Sequence, residues 1–157
     1  MKHAAIAIAF SLALFLCAVT PTSQAEPYEG TPDAAARDPD YAAGKAAIEK
    51  KNWAVAVKHF HQAALRDPDN ADLQNYLGYS YRNLKEMDLA FKHYKRSIEL
   101  DPRHRGAHEY IGEAYLLVND LPRAEQHLAR LRSICLLQCE ELTDLEKAIV
   151  AYRAKRK

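Results

Sequence analysis

Two cysteines four residues apart, Cys135 and Cys139 in the stretch CLLQC, are the residues whose type and spacing point most directly to chemistry. Three chemistries suit them unequally. An oxidising compartment would join them in a disulfide. Two thiolates could instead hold a soft ion such as Cu(I). A thiol-exchange site would want a Cys-x2-Cys spacing in a βαβ setting, and neither is found here. Histidines make a second set. His104 and His108 stand one helical turn apart, a spacing able to grip a metal, and His59, His93 and His127 recur every 34 residues. A tetrahedral ion needs nitrogen ligands at about 2 Å, whereas packed helices stand about 8–10 Å apart. The three-histidine stripe therefore reads as an amphipathic surface, with a pH-responsive face as the remaining alternative. There is no nucleophile elbow, no phosphate-cradling glycine loop and no His-Glu-x-x-His. A non-enzyme without cofactor or resident metal is expected.

Which cysteine chemistry applies depends on the compartment. The chain opens MKHAAIAIAFSLALFLCAVTPTSQA, with Lys2 ahead of an apolar run from Ala4 to Val19 and no acidic residue before Glu26. A charged start, a short apolar core and a small-residue exit predict a secretory signal peptide, residues 1–25, cleaved after Ala25. The apolar run is shorter than the roughly 20 residues needed to span a bilayer. Leu16 stands before Cys17 where bacterial lipoprotein signals want a small residue, so lipidation is not expected. A periplasmic or secreted protein follows, and in that setting a disulfide staple is the favoured reading of Cys135 and Cys139. Of the 22 Lys and Arg against 21 Asp and Glu, only Lys2 lies in the leader, so the processed chain is formally neutral. That balance gives no reason to expect nucleic acid.

Residues 26–36 carry two prolines, a glycine and little that is apolar, and read as a flexible lead-in. Beyond them the chain aligns with itself at a period of 34, in units 37–70, 71–104 and 105–138. Gly44, Gly78 and Gly112 coincide, as do Ala56, Ala90 and Ala124, and the bulky Phe60, Tyr94 and Leu128. Ala47, Tyr81 and Tyr115 share another place, and Asp67-Pro68 matches Asp101-Pro102. Glycine inside a helix costs roughly 1 kcal/mol against alanine, which close helix approach would offset. Asp-Pro ends one helix and lets the next begin. Trp53, Met87 and Leu121 open each second helix and read as core plugs. The pattern predicts an all-α solenoid of helix–turn–helix units that share one core.

At these residues the chain resembles the tetratricopeptide repeat (TPR) family, whose 34-residue unit is a helix–turn–helix with small residues at the helix crossing and a proline at the exit. The second unit fits throughout, at Leu77-Gly78, Tyr81, Ala90, Tyr94 and Pro102. The first has Asp40 and Ala47 where bulky residues are usual, and the third drops the Asp-Pro exit after Leu128. A solenoid end needs a polar-backed cap. Residues 139–157 supply one, with a helix expected from about Thr143 to Lys155, opened by a Thr143/Glu146 capping box.

The resemblance implies a concave groove that holds peptides or protein segments. Transferred residue by residue, its lining is Tyr41, Lys45 and Ile48 in the first unit, Asn75, Tyr79 and Arg82 in the second, and Glu109, Glu113 and Leu116 in the third. The acidic third unit beside Lys45 and Arg82 suggests a partner segment of mixed charge. Family members that clamp the C-terminal carboxylate of cytosolic chaperones place Lys, Asn and Arg at positions held here by Tyr41, Lys45, Tyr76, Gly106 and Tyr110, so that clamp is absent. The expected function is a non-enzymatic scaffold in envelope assembly or maturation of exported proteins, with possible self-association. Copper handling through Cys135 and Cys139 is the alternative.

Overall fold

The computed structural model describes residues 38–156, so the leader, its cleavage point and the lead-in lie outside the described residues. Among the described residues there are seven helices and no strand: α1 (Pro39–Glu49), α2 (Trp53–Arg66), α3 (Ala71–Asn83), α4 (Met87–Leu100), α5 (Arg105–Leu117), α6 (Leu121–Ile134) and α7 (Glu140–Ala154). The first six form antiparallel pairs stacked in sequence order, and α7 packs on α5 and α6. No helix among the described residues is long and apolar enough to cross a membrane.

Local chemistry sets each boundary. Asp38 caps α1 by accepting from the Asp40 and Tyr41 amides, with Pro39 ready-made for the first turn. Asn52, Asn70 and Asp120 cap α2, α3 and α6 in the same way, and the His104 ring Nδ1 accepts from the Ala107 amide to cap α5. The turns within the pairs are copies of one another. Lys51, Lys85 and Asn119 have φ of 54°, 67° and 63°, and lie 34 residues apart. In the first turn the Lys51 amide donates to Ile48 O and the Asn52 amide to Ala47 O; the other two repeat the pattern. This is the Schellman arrangement, whose left-handed position normally favours glycine. Asp67-Pro68 and Asp101-Pro102 end α2 and α4, as the sequence predicts.

The core forms where the two helices of a unit cross. Phe60 and Tyr94 are fully buried, and each ring lies flat against the glycine of the helix before it. A Cβ at Gly78 would sit 2.5 Å from Tyr94 Cδ1, and one at Gly44 would sit 2.6 Å from Phe60 Cε1. Burying such a ring is worth about 1.5–3 kcal/mol, which outweighs the glycine's cost in helix propensity. Ala56, Ala90 and Ala124 are buried, as the repeat alignment implies. Trp53, Met87 and Leu121 are half-buried; Met87 and Leu121 pack against the core, and Trp53 lies edge-on to Tyr79 at 5.8 Å. Two core clusters, one joining the first unit to Leu73 and Leu77 of α3 and one running from α4 to α7, meet at Tyr81.

The third unit is completed from outside itself. Leu128 does not fill the space beside Gly112; Leu145 of α7 does, its Cδ2 at 2.7 Å from where a Cβ would be. Leu145 and Ile149 are both buried. The cap helix therefore starts earlier than expected. It begins at Glu140, Thr143 lies in its first turn with Oγ1 donating to Cys139 O, and Glu146 pairs with Arg132 at 2.8 Å instead of closing a capping box. Cys139, the N-cap residue, makes no side-chain cap bond.

Two substitutions test this account. Gly78→Ala should destabilise the fold by about 1–3 kcal/mol, because the buried Tyr94 ring cannot yield. Lys85→Gly should stabilise it by about 0.5–1 kcal/mol by relieving the left-handed residue. Urea unfolding followed by circular dichroism measures both; a neutral or stabilising Gly78→Ala would contradict the crossing geometry.

Candidate functional site

The chemistry-bearing side chains divide between the helix-pair interfaces and one concave face. His59, His93 and His127 are half-buried struts, not free surface residues. Each bonds the first helix of its own unit, His59 to Asp40 at 2.8 Å, His93 to Gln74 at 2.8 Å and His127 to His108 at 2.9 Å. These partners are themselves 34 residues apart, so one cross-link recurs three times with changed chemistry. His108 also bonds Pro102 O through Nε2, which leaves its Nδ1 to accept from His127. Burial, with His108 alongside, lowers His127 to about 4, and burial lowers His93 to about 4. His104 is used as the α5 cap and bonds Asp72 at 3.0 Å. Both histidines of the His104/His108 spacing are thus engaged in hydrogen bonds within the chain. Among the described residues no group of three or more His, Cys, Asp or Glu converges on a point that could hold a metal ion.

Cys135 ends α6 and Cys139 precedes α7, both in extended backbone, with Cα atoms 6.0 Å apart and sulfurs in contact. Between them Leu136 and Leu137 are 95% and 85% exposed.

Helices α3, α5 and α7 line the concave face. Their N-terminal turns gather around a groove of ≈ 680 Å³, and their C-terminal turns around a second of ≈ 430 Å³. The helices α3, α5 and α7 therefore run parallel. Of the transferred residues, Asn75 and Glu109 line the first groove; Arg82, Glu113 and Leu116 line the second. Tyr41, Lys45, Ile48 and Tyr79 line neither, and are half-buried. Tyr41 stands edge-on to Phe60 and Tyr76, and Tyr79 lies 5.0 Å from Tyr110. Leu116 is buried in the core.

The two basic residues on which the mixed-charge expectation rested are already committed within the chain. Lys45 Nζ donates to Tyr76 Oη at 2.7 Å and lies over that ring, and Arg82 pairs with Glu113 at 2.6 Å between the Tyr79 and Tyr110 rings. The larger groove is rich in acid, and several of its acids are likewise paired, Asp69 with Arg96, Asp72 with His104, Glu141 with Arg105 and Asp144 with Lys147. Eight carboxylate residues and two arginines line the larger groove. Glu109 feels this most: burial, then Glu113, Asp144 and Glu141, push it up to about 8, against a lowering by Arg82. The same surroundings, burial first and then Glu109, push the Tyr110 phenol to about 12. Asp72 is held below the usual carboxylate range by its bond from His104. The sequence contains these acids, but the turn residues Asp67, Asp69 and Asp101 and the cap residues Glu140, Glu141 and Asp144 meet only in the stacked fold.

A tetratricopeptide repeat family model matches residues 41–104. Among solved structures, the TPR2B domain of yeast Sti1, in complex with pHsp70, superposes with a TM-score of 0.68 at 19% identity, covering 74% of this chain and 95% of that one. The Yersinia enterocolitica type III secretion translocator chaperone SycD gives a TM-score of 0.68 at 20% identity, with 82% and 98% covered. PcrH, in complex with the chaperone-binding region of PopD, gives 0.67 at 19% identity, with 83% and 100% covered. No curated protein sequence matches the chain at a significant level. A tetratricopeptide repeat is thus matched in sequence over residues 41–104, and the helical solenoid of the described residues is matched in space.

Proposed function

We propose that this protein is an exported, non-enzymatic scaffold that holds a protein or peptide partner on its concave face, in envelope assembly or maturation of exported proteins. The observation that carries the reading is that face itself. It is an open groove along α3, α5 and α7, bordered by Tyr76 and Tyr110, residues of a kind enriched at binding hot spots. Support comes from similar structures, in which the Sti1 domain is complexed with pHsp70 and PcrH with a segment of PopD. Export rests on the leader in the sequence. Tyr41, Lys45, Ile48 and Tyr79 would extend the contact surface beyond the acidic groove.

We further propose that Cys135 and Cys139 form a disulfide in the exported protein. The pair brackets the turn into α7, so the bond would fix the angle at which Leu145 is delivered to Gly112. Copper handling would rest on this pair alone, with both thiols free.

Photo-cross-linking in the native organism tests the scaffold reading. A benzophenone amino acid at Lys45 or Tyr79 should trap a discrete partner, and one at the exposed convex residue Lys95 should not. Identical products from both faces, or none from the concave positions, would overturn it. Intact mass without reductant tests the staple. The disulfide form is two hydrogens lighter than the dithiol, and a full-mass dithiol carrying copper would favour the alternative. Replacing both cysteines with serine should cost at most about 2 kcal/mol, since the closed ring is short, and hydrogen exchange should rise first in α7.

A further inference from the structure

Resting on that reading, the smaller groove of the concave face says what part of a partner it would take. Its floor is apolar. On α7, Ala148, Ala151, Tyr152 and Lys155 face it at helical spacing, a stripe distinct from the Leu145 and Ile149 face that enters the core. Across the groove stand Leu116 and Leu117 of α5. Leu116 is buried, but Leu117 is 58% exposed, so apolar surface is left facing water. Charge borders this floor. Arg82 and Glu113 offset each other in their pair at 2.6 Å. Lys85, in the turn after α3, and Lys155, at the end of α7, line the same groove, and their ammonium groups have no partner among the described residues. Arg156 adds a third cation beside Tyr152, bonded only to the neutral Tyr152 and Asn119 side chains. The last carbonyls of α3 and α5 do little to offset this charge, because their turn amides occupy them. Tyr81 O and Arg82 O accept from Glu86 and Lys85, and Tyr115 O and Leu116 O accept from Asp120 and Asn119.

We infer that the smaller groove receives an acidic, apolar segment of the partner protein, with leucine-like side chains laid on Leu117, Ala148 and Ala151 and flanking carboxylates paired with Lys85 and Lys155. Both halves of the lining are needed. Burial of the apolar floor supplies affinity. The lysine pairs, weak one by one at an exposed site, decide the sign of the charge that can flank it. A basic segment would meet three cations, and an acidic segment without apolar side chains would leave the floor wet. Lys85 and Lys155 are different positions from Tyr41, Lys45, Tyr76, Gly106 and Tyr110, where the absent carboxylate clamp would stand, so this is a separate site.

The test is fluorescence anisotropy with labelled Gly/Ser peptides carrying Glu-Leu-Leu-Glu, Lys-Leu-Leu-Lys or Glu-Ser-Ser-Glu, in about 0.1 M salt, where the Debye length is about 10 Å. The first peptide should bind about tenfold or more tightly than either of the others. The double variant Lys85→Glu/Lys155→Glu should lose about tenfold. Lys58→Glu/Lys95→Glu, the same charge change at exposed residues of α2 and α4 outside the groove, should stay within about twofold. Leu117→Ser, which strips the floor without altering charge, should weaken binding about fivefold. Circular dichroism would verify that each variant is folded. Equal losses from the two double variants would mean diffuse attraction and overturn the inference. So would a Lys-Leu-Leu-Lys or Glu-Ser-Ser-Glu peptide that binds as tightly as the first. A dimer that Lys85→Glu/Lys155→Glu dissolves, with no peptide bound, would overturn it in favour of a second copy. If none of the peptides binds while the concave-face cross-links persist, the scaffold reading stands and only this assignment falls.

Discussion

The structure depends on one close approach repeated along the chain, a glycine of the first helix against a bulky side chain across the crossing. Gly44 meets Phe60 and Gly78 meets Tyr94. With no Cβ in the way, the two helices of a unit approach until ring and backbone touch, and this fixes how they sit against each other. In the third unit the contact partner changes. Leu128 is shorter than the aromatic rings and leaves room, which Leu145 of α7 occupies. The cap is therefore not a lid added to a finished solenoid. It supplies the side chain that the third crossing lacks, and that draws α7 against α5 and closes the acidic groove.

A second, polar layer follows the same period. The links from Asp40 to His59, Gln74 to His93 and His108 to His127 tie the first helix to the second in each unit. Position is retained while the partner goes from carboxylate to amide to imidazole. Environment follows chemistry. The Asp40–His59 link pairs a carboxylate with an imidazole, whereas His93 and His127 are pushed toward the neutral form by burial. The recurring left-handed residues Lys51, Lys85 and Asn119 show a similar economy, since one turn geometry is kept without glycine at any of the three places.

Much of this was legible in the sequence, because periodicity and punctuation are local. The 34-residue alignment located the crossings, and Asp-Pro located two helix ends. Reading failed where a contact joins distant segments. Thr143 and Glu146 have the spacing of a capping box, but Glu146 is drawn to Arg132 and the helix gains another turn toward Cys139. The histidine stripe looked like surface because the partners that half-bury it belong to the neighbouring helix. Lys45 and Arg82 looked available to a ligand, yet Tyr76 and Glu113 hold them, and those pairings cross units. Net charge close to zero concealed the groove's acidity entirely.

That acidity has a local origin. Acidic side chains are favoured at helix N-termini, where the backbone amides and the helix dipole stabilise negative charge. Asp72 in the first turn of α3 and Glu140 and Glu141 in the first turn of α7 follow this preference. For a single helix the effect is worth only about 0.3–1 kcal/mol. Stacking α3, α5 and α7 in parallel brings these N-termini together, and the capped turns add Asp67, Asp69 and Asp101 beside them. At the opposite end the same helices bring Arg82, Lys85 and Lys155 to the smaller groove. A preference that each helix satisfies for its own stability thus sums, through the solenoid, to a concave face graded from negative to positive. The gradient would give the partner proposed above a direction in which to lie.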